Sequence, residues 1–360
     1  MVVPYACAGA RPGTPLAPLL LVIRTTIHVR LAASGVRLSL AALLLLATLP
    51  QAARAHTGAA PEPHDLWSAW TWSPTVLAGL ALGAWLYARG LRALWRRAGR
   101  ARVVRPWRAW CYAAGLAAIF VALVSPVDAV GAALFSVHMI QHLLLMMVAA
   151  PLIVLGDPLL VTLWALPVRW RRGIGRWWVH ARSLRALWQW LTLAPIAWSI
   201  HVVSLWLWHA PSFYEQALLS EPVHELEHAT FFVTALLFWW LLFAPRGRRL
   251  SIGAKVAFLF AAMLQGTILG AAITFARHPW YWSYFGTTRA WGLTPLEDQQ
   301  LAGLIMWIPA GLIYLAALIP LLAAALSDRA PTAPRGERAG DPPTVQRAET
   351  VVVASTRGTP

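Results

Sequence analysis

Long apolar runs separated by loops alternately rich and poor in arginine dominate this chain, and no other feature restricts its fold as tightly. Seven segments have the length of a membrane span, over residues 72–91, 106–125, 132–155, 188–209, 222–244, 254–276 and 299–326. Arg89, Arg92, Arg96, Arg97, Arg100, Arg102, Arg105 and Arg108 fall between or beside the first two. Arg169, Arg171, Arg172, Arg176, Arg182 and Arg185 join the third to the fourth, and Arg246, Arg248, Arg249 and Lys255 join the fifth to the sixth. The intervening loops hold Arg277 and Arg289 beside Asp128, Glu215, Glu221, Glu297 and Asp298. Hydrophobic residues make up 59% of the chain and charged residues 12%, whereas a soluble domain carries about 25% charged residues. The net charge of +16 would on its own suggest a nucleic-acid partner. Its placement at the flanks of apolar runs, with Lys255 as the single lysine, fits membrane spans instead and excludes nucleic-acid binding. The 22 tryptophans suit membrane–water interfaces. Two cysteines, Cys7 and Cys111, exclude a disulfide-stapled secreted domain.

Basic-rich loops stay in the cytoplasm, which directs the mature N-terminus outward and the C-terminus inward. A signal peptide predicts the same orientation. Arg30 and Arg37 precede the apolar run 38–49, too short to span, and Ala53-Arg54-Ala55 offers a small-residue cleavage site before His56. A signal of this length exceeds the usual 15–30 residues, which places the expected translation start near Val36. The fold class implied is an all-α integral membrane protein, a bundle of seven transmembrane helices after an N-terminal signal peptide. The expected division is an extension and signal over 1–55, an outer segment over 56–71, the membrane domain over 72–326 and a disordered cytoplasmic tail over 327–360. The apolar stretch 159–166, bounded by Pro158 and Pro167, reads as an interfacial piece.

Ionisable groups inside spans are costly and usually functional. His138 and His142 sit one turn apart in the third segment, His201 and His209 in the fourth, and His224 and His228 open the fifth at the same i, i+4 spacing. The topology places all six toward the outer side. Two such pairs on neighbouring helices can supply nitrogen ligands to a transition metal, and thioethers favour Cu(I). Met139, Met146, Met147, Met263 and Met306 lie in the same spans. For Met146, Met147 and Met263 gap-filling in the core is the preferred reading. The run His224-Glu225-Leu226-Glu227-His228 also satisfies H-E-x-x-H, the zinc metalloprotease pattern. Asp157 is excluded as its further ligand, because the topology puts it at the cytoplasmic end of its span, about 30 Å away, which leaves Glu221, Glu225, Glu227 and Asp298 as outer-side ligands. Haem held by histidines of two helices is another reading, and a copper permease a further one. Against the last stands the apolar run 143–148 below His142, which offers no polar path.

The segment Ser136-Val137-His138-Met139-Ile140-Gln141-His142-Leu143-Leu144-Leu145 resembles the third-span motif of the multi-span CtaG family. Trp208-His209-Ala210-Pro211 with Tyr214, then His224 and His228, is similar to that family's fourth-to-fifth-span region. So are Asp298-Gln299-Gln300-Leu301-Ala302-Gly303 with Met306-Trp307, and Trp70-Thr71-Trp72-Ser73-Pro74 at the start of the first span. The likeness runs over about residues 65–325 and does not extend to the single-span, cysteine-based copper chaperone that shares the name. The resemblance implies a plasma-membrane assembly factor for cytochrome c oxidase, with oxidase subunits as partners and copper as the metal supplied. The expected metal ligands are then His138, His142, His209, His224 and His228, with Tyr214, Glu225 and Asp298 orienting them, and no enzymatic activity is expected. Capping the last span is the competing role for Asp298.

Overall fold

The computed structural model describes residues 60–100, 102–243 and 250–329, and of the side chains over 324–329 nothing is described. The extension and signal over 1–55, the start of the outer segment and residues 330–360 of the tail lie outside the described residues, as do Arg246, Arg248 and Arg249.

All regular structure among the described residues is helical. In chain order it runs α1 (Pro74–Ala98), α2 (Pro106–Leu123), α3 (Pro126–Gly131) and α4 (Phe135–Leu155). Then follow α5 (Pro158–Ala165), α6 (Val168–His180), α7 (Arg182–Leu191) and α8 (Ala194–His209). The last four are α9 (Pro211–Leu219), α10 (Glu221–Phe243), α11 (Ile252–Thr274) and α12 (Pro295–Arg329). Proline starts half of them, where its missing N–H costs nothing.

Five helices are long and apolar enough to cross a membrane: α2, α4, α10, α11 and α12. A sixth crossing is made if α7 and α8 count as one span, although they meet at an angle of 71°. The sequence pattern had implied seven, and the two discrepancies have local causes. Residues 188–209 do not form one straight helix, because Pro195 restarts the chain after α7 ends at Leu191. The first expected span is the 25-residue α1, whose C-terminal half carries Arg89, Arg92, Arg96 and Arg97 and is diluted in apolar character.

Helix α4 is the centre of the bundle, packed by α2, α10 and α12, with 67% of its residues buried against 22% for α2. Helix α12 presents Leu301, Leu304, Ile308, Leu312, Leu315, Ile319 and Leu322 outward, an exposed stripe at helical spacing suited to lipid. Its other face meets α11 at close range. A Cβ on Gly303 would lie 2.4 Å from the Thr274 hydroxyl oxygen, so only glycine admits that approach.

Helix α4 changes pitch just below its histidines. Residues Leu144–Ala149 form a π-helix, with the Ala150 N–H bonded to the Leu145 carbonyl. The next bond of that register would need an N–H from Pro151, which has none. The Met146 carbonyl thereby orphaned accepts instead from Trp239 Nε1 on α10, at 2.9 Å. Such π segments recur at functional sites, and here one ties α4 to the helix that faces it.

Candidate metal centre

The i, i+4 spacing on α4 and again on α10 turns both histidine pairs toward a common point. His138 Nε2 lies 2.8 Å from His142 Nε2. Ring centroids of His138 stand 5.3 Å from His224 and 5.8 Å from His228, and His142 stands 5.1 Å from His228. Ligand atoms of His138, His224 and His228 fall within 4.8 Å of one another, and so do those of His138, His142 and Glu227. The structure thus gathers four of the five histidines proposed as ligands.

Glu227 completes the group. It is 0% exposed, and neither carboxylate oxygen accepts a hydrogen bond. One oxygen lies 3.9 Å from His138 Nε2 and the other 3.8 Å from His142 Nε2. A carboxylate taken out of water without donors carries a large desolvation cost. A cation held by imidazole and carboxylate together would repay it, and this donor set suits a borderline transition metal. The buried Nε2 of His228 and Nδ1 of His142 likewise make no hydrogen bond. These residues fit a metal.

Glu225, expected to orient the ligands, is exposed on α10 and lies outside the group. Packing explains the exchange. Glu225 and Glu227 flank the His224–His228 stripe symmetrically, each about 60° from one histidine and about 100° from the other, and only Glu227 lies on the side that meets His138 and His142 of α4. Spacing alone therefore does not choose between the two glutamates.

His209, at the end of α8, stands beside the group rather than inside it. Its ring centroid is 6.4 Å from His142. Its Nδ1 lies 2.7 Å from the Leu205 carbonyl and its Nε2 3.4 Å from Met139 Sδ. A cavity of about 50 Å³ lies here, lined by His142, His209 and all five methionines of the described residues. The methionines assigned to gap-filling in the sequence therefore share one pocket. His201 faces away and bonds Thr234 Oγ1 at 3.1 Å.

Asp298 is 0% exposed and does not cap its own helix. The last helix is capped by Thr294, whose Oγ1 accepts from the Glu297 N–H while Glu297 accepts from the Thr294 N–H at 2.8 Å, a capping box. Asp298 is left to accept from the backbone N–H of Phe135 at 2.7 Å and of Ser136 at 3.1 Å, and from the Ser136 hydroxyl. It caps α4 from across the bundle, one turn before His138.

Tyr214 roofs the group, its ring 5.4 Å from His138. Its hydroxyl lies 2.7 Å from that of Tyr284, which also bonds the Gly131 carbonyl at 3.1 Å. A carbonyl only accepts, so Tyr284 donates to Gly131 and Tyr214 donates to Tyr284. Burial pushes both hydroxyls well above the ordinary phenol range and keeps them protonated in this chain. Tyr281 adds a bond to the His209 carbonyl at 2.8 Å. Tyr281 and Tyr284 lie in a loop without apolar periodicity, and nothing in the sequence marked them.

Asp157 follows α4 directly, 19 residues beyond His138, or about 28 Å along a helix. It lies at the opposite end of the span, as the loop charges had implied.

Known proteins supply the remaining findings. An uncharacterized protein of Mycobacterium bovis and one of Mycobacterium tuberculosis are each 32% identical over 240 residues, covering 63% of this chain and 34% of their own length. An uncharacterized protein of Mycobacterium leprae is 26% identical over 275 residues, covering 73% of this chain and 41% of its own. The chain thus spans little more than a third of the length of these curated relatives. No solved structure matches. The family model for the cytochrome c oxidase caa3 assembly factor, Caa3_CtaG, matches residues 85–328, and the chain belongs to that family.

Proposed function

We propose that the protein assists the assembly of cytochrome c oxidase by holding copper at the His138–His142–His224–Glu227–His228 group and delivering it to the oxidase. The observation that carries this reading is Glu227, a buried carboxylate whose oxygens accept no hydrogen bond and face two imidazole Nε2 atoms at 3.8–3.9 Å. Family membership supplies the oxidase, and an oxidase with copper centres makes copper the metal of choice for this imidazole–carboxylate set. The chain would act as a donor rather than an enzyme, so Glu225, exposed on α10, has no catalytic role.

In this reading α1 and the α7–α8 pair complete seven crossings of a bacterial plasma membrane. The arginine-rich loops lie in the cytoplasm and the histidines near the outer surface, where copper and the oxidase's outer domains are accessible. Tyr214 and Tyr284 close the group toward that surface, and Asp298 holds α4 in register beneath them. His138→Ala with His142→Ala tests the assignment. Membranes carrying this variant lose the copper bound to the protein and at least tenfold of oxidase activity, while Glu225→Gln keeps both. Normal copper and normal oxidase in the double histidine variant would overturn the reading.

A further inference from the structure

We infer that the methionine-lined cavity beside the histidine–glutamate group is a second metal site, selective for a soft monovalent cation such as Cu(I). Its centre is the contact between His209 and Met139. The Leu205 carbonyl can only accept, so the His209 Nδ1 at 2.7 Å carries the proton and donates. In the neutral ring Nε2 then presents a lone pair, and it points at Met139 Sδ across 3.4 Å. Two lone-pair donors, one imidazole and one thioether, face each other with no hydrogen between them. A soft cation takes both.

The surroundings have the same character. The cavity of about 50 Å³ has room for an ion, and its wall brings together thioethers from three helices, α4, α11 and α12. Gap-filling alone would scatter methionine through the core; here every methionine of the described residues lines one pocket. His142 belongs to both places. Its Nε2 faces Glu227 at 3.8 Å, its Nδ1 is buried without a hydrogen bond, and its ring lines the cavity. One imidazole shared by a nitrogen–oxygen site and a nitrogen–sulfur site lets an ion pass between them by ligand exchange, with no change in its charge. This inference deepens the copper reading above and rests on it for direction only, since the thioether pocket stands on its own donor atoms.

The test uses the full chain in detergent. Under anaerobic reducing conditions, X-ray absorption at the copper edge is read on protein loaded with Cu(I), and Ag(I) affinity is measured separately. The wild type shows sulfur neighbours to copper, and the same protein with selenomethionine shows copper next to selenium, which requires no substitution. Met139→Leu with Met306→Leu, a volume-conserving pair, removes the sulfur neighbours and weakens Ag(I) binding at least tenfold. Wild-type copper with only nitrogen and oxygen neighbours overturns the inference, as does Ag(I) affinity that ignores the double variant. Zn(II), which prefers nitrogen and oxygen donors here, reports on the other site: its loss in Glu227→Gln with the sulfur signal intact separates the two. If Zn(II) binding ignores Glu227→Gln while the sulfur signal persists, the histidine–glutamate reading fails and the thioether site stands.

Discussion

The two ends of α4 solve opposite problems with the same scarcity of charge. At the histidine end the ionisable groups are buried and aimed at one another. His138, His142 and Glu227 are at most 4% exposed, with polar atoms 2.8–3.9 Å from one another. At the other end the cations surround an open concavity of about 920 Å³, lined by Arg89, Arg92, Arg96, Arg97, Arg100 and Arg171 with tryptophans and apolar residues. Those guanidiniums are supported without pairing to one another. Arg89 Nε donates to the Ala165 carbonyl at 2.9 Å, and outside the concavity Arg108 Nη1 donates to the Leu155 carbonyl at 3.1 Å. Arg171 stacks over Trp164 at 4.0 Å. Solvent and headgroups can hydrate the arginine end, so its charges cost little and carry topology. No solvent reaches Glu227, so its charge is tolerated only with a cation supplied. The lesson is that burial, not the number of charges, separates a site from a label.

The largest effect that sharpens this contrast is expected from Glu227→Gln. Zn(II) affinity should fall by more than about 100-fold, beyond the 10–100-fold range typical of residues that merely support a ligand. The metal-free protein should meanwhile gain about 1–3 kcal/mol, because an unpaired buried carboxylate is replaced by a neutral amide. Isothermal titration and unfolding of the metal-free protein read the two signs separately. A parallel loss of both affinity and stability would mean that Glu227 is a structural partner of the histidines.

Asp298→Ala comes next. It orphans two backbone N–H groups and a hydroxyl at the start of α4 and should cost about 1–3 kcal/mol. Affinity for metal should fall as well, by about tenfold, because the support of His138 is loosened. Asp298→Asn, which keeps one acceptor, should recover part of both.

Gly90→Ala strikes the arginine end alone. Its Cβ would lie 1.9 Å from the Val161 carbonyl oxygen, where α5 lies against α1. Overpacking of this kind costs about 1–3 kcal/mol, yet metal affinity should stay within twofold. A matching loss of metal would mean that the two ends are coupled through α4. The smallest effect belongs to Arg96→Gln with Arg97→Gln. Stability should move by less than about 0.5 kcal/mol, with protease accessibility of the loop after α1 as the readout for orientation.

Much of this was legible in the sequence because its signals are periodic. Apolar runs gave the helices, alternating arginines separated the ends, and paired i, i+4 histidines on two runs pointed to one place. The site's acidic member was not legible, since Glu225 and Glu227 flank His224 and His228 symmetrically and only the packing of α4 against α10 selects Glu227. Straightness was not legible. The break before Pro195 turns one apolar run into two helices at 71°, and hydropathy does not record a bend. Nor were long-range caps: a sequence places Asp298 at the head of its own helix, and only packing reveals that Thr294 and Glu297 fill that role and leave Asp298 to α4. The methionine pocket was hidden for the same reason, because three helices contribute to it and no single one carries its pattern.

The central claim is that the histidine–glutamate group exists to hold a metal, and thermal unfolding with and without Zn(II) tests it most directly. Binding to the folded state alone stabilises by about 2.7 kcal/mol at a free concentration 100 times Kd. Zn(II), which reports on this group and not on the thioether pocket, should therefore raise the unfolding temperature of the wild type clearly and leave that of Glu227→Gln nearly unmoved. An equal rise in both, or no rise in the wild type, would contradict the account.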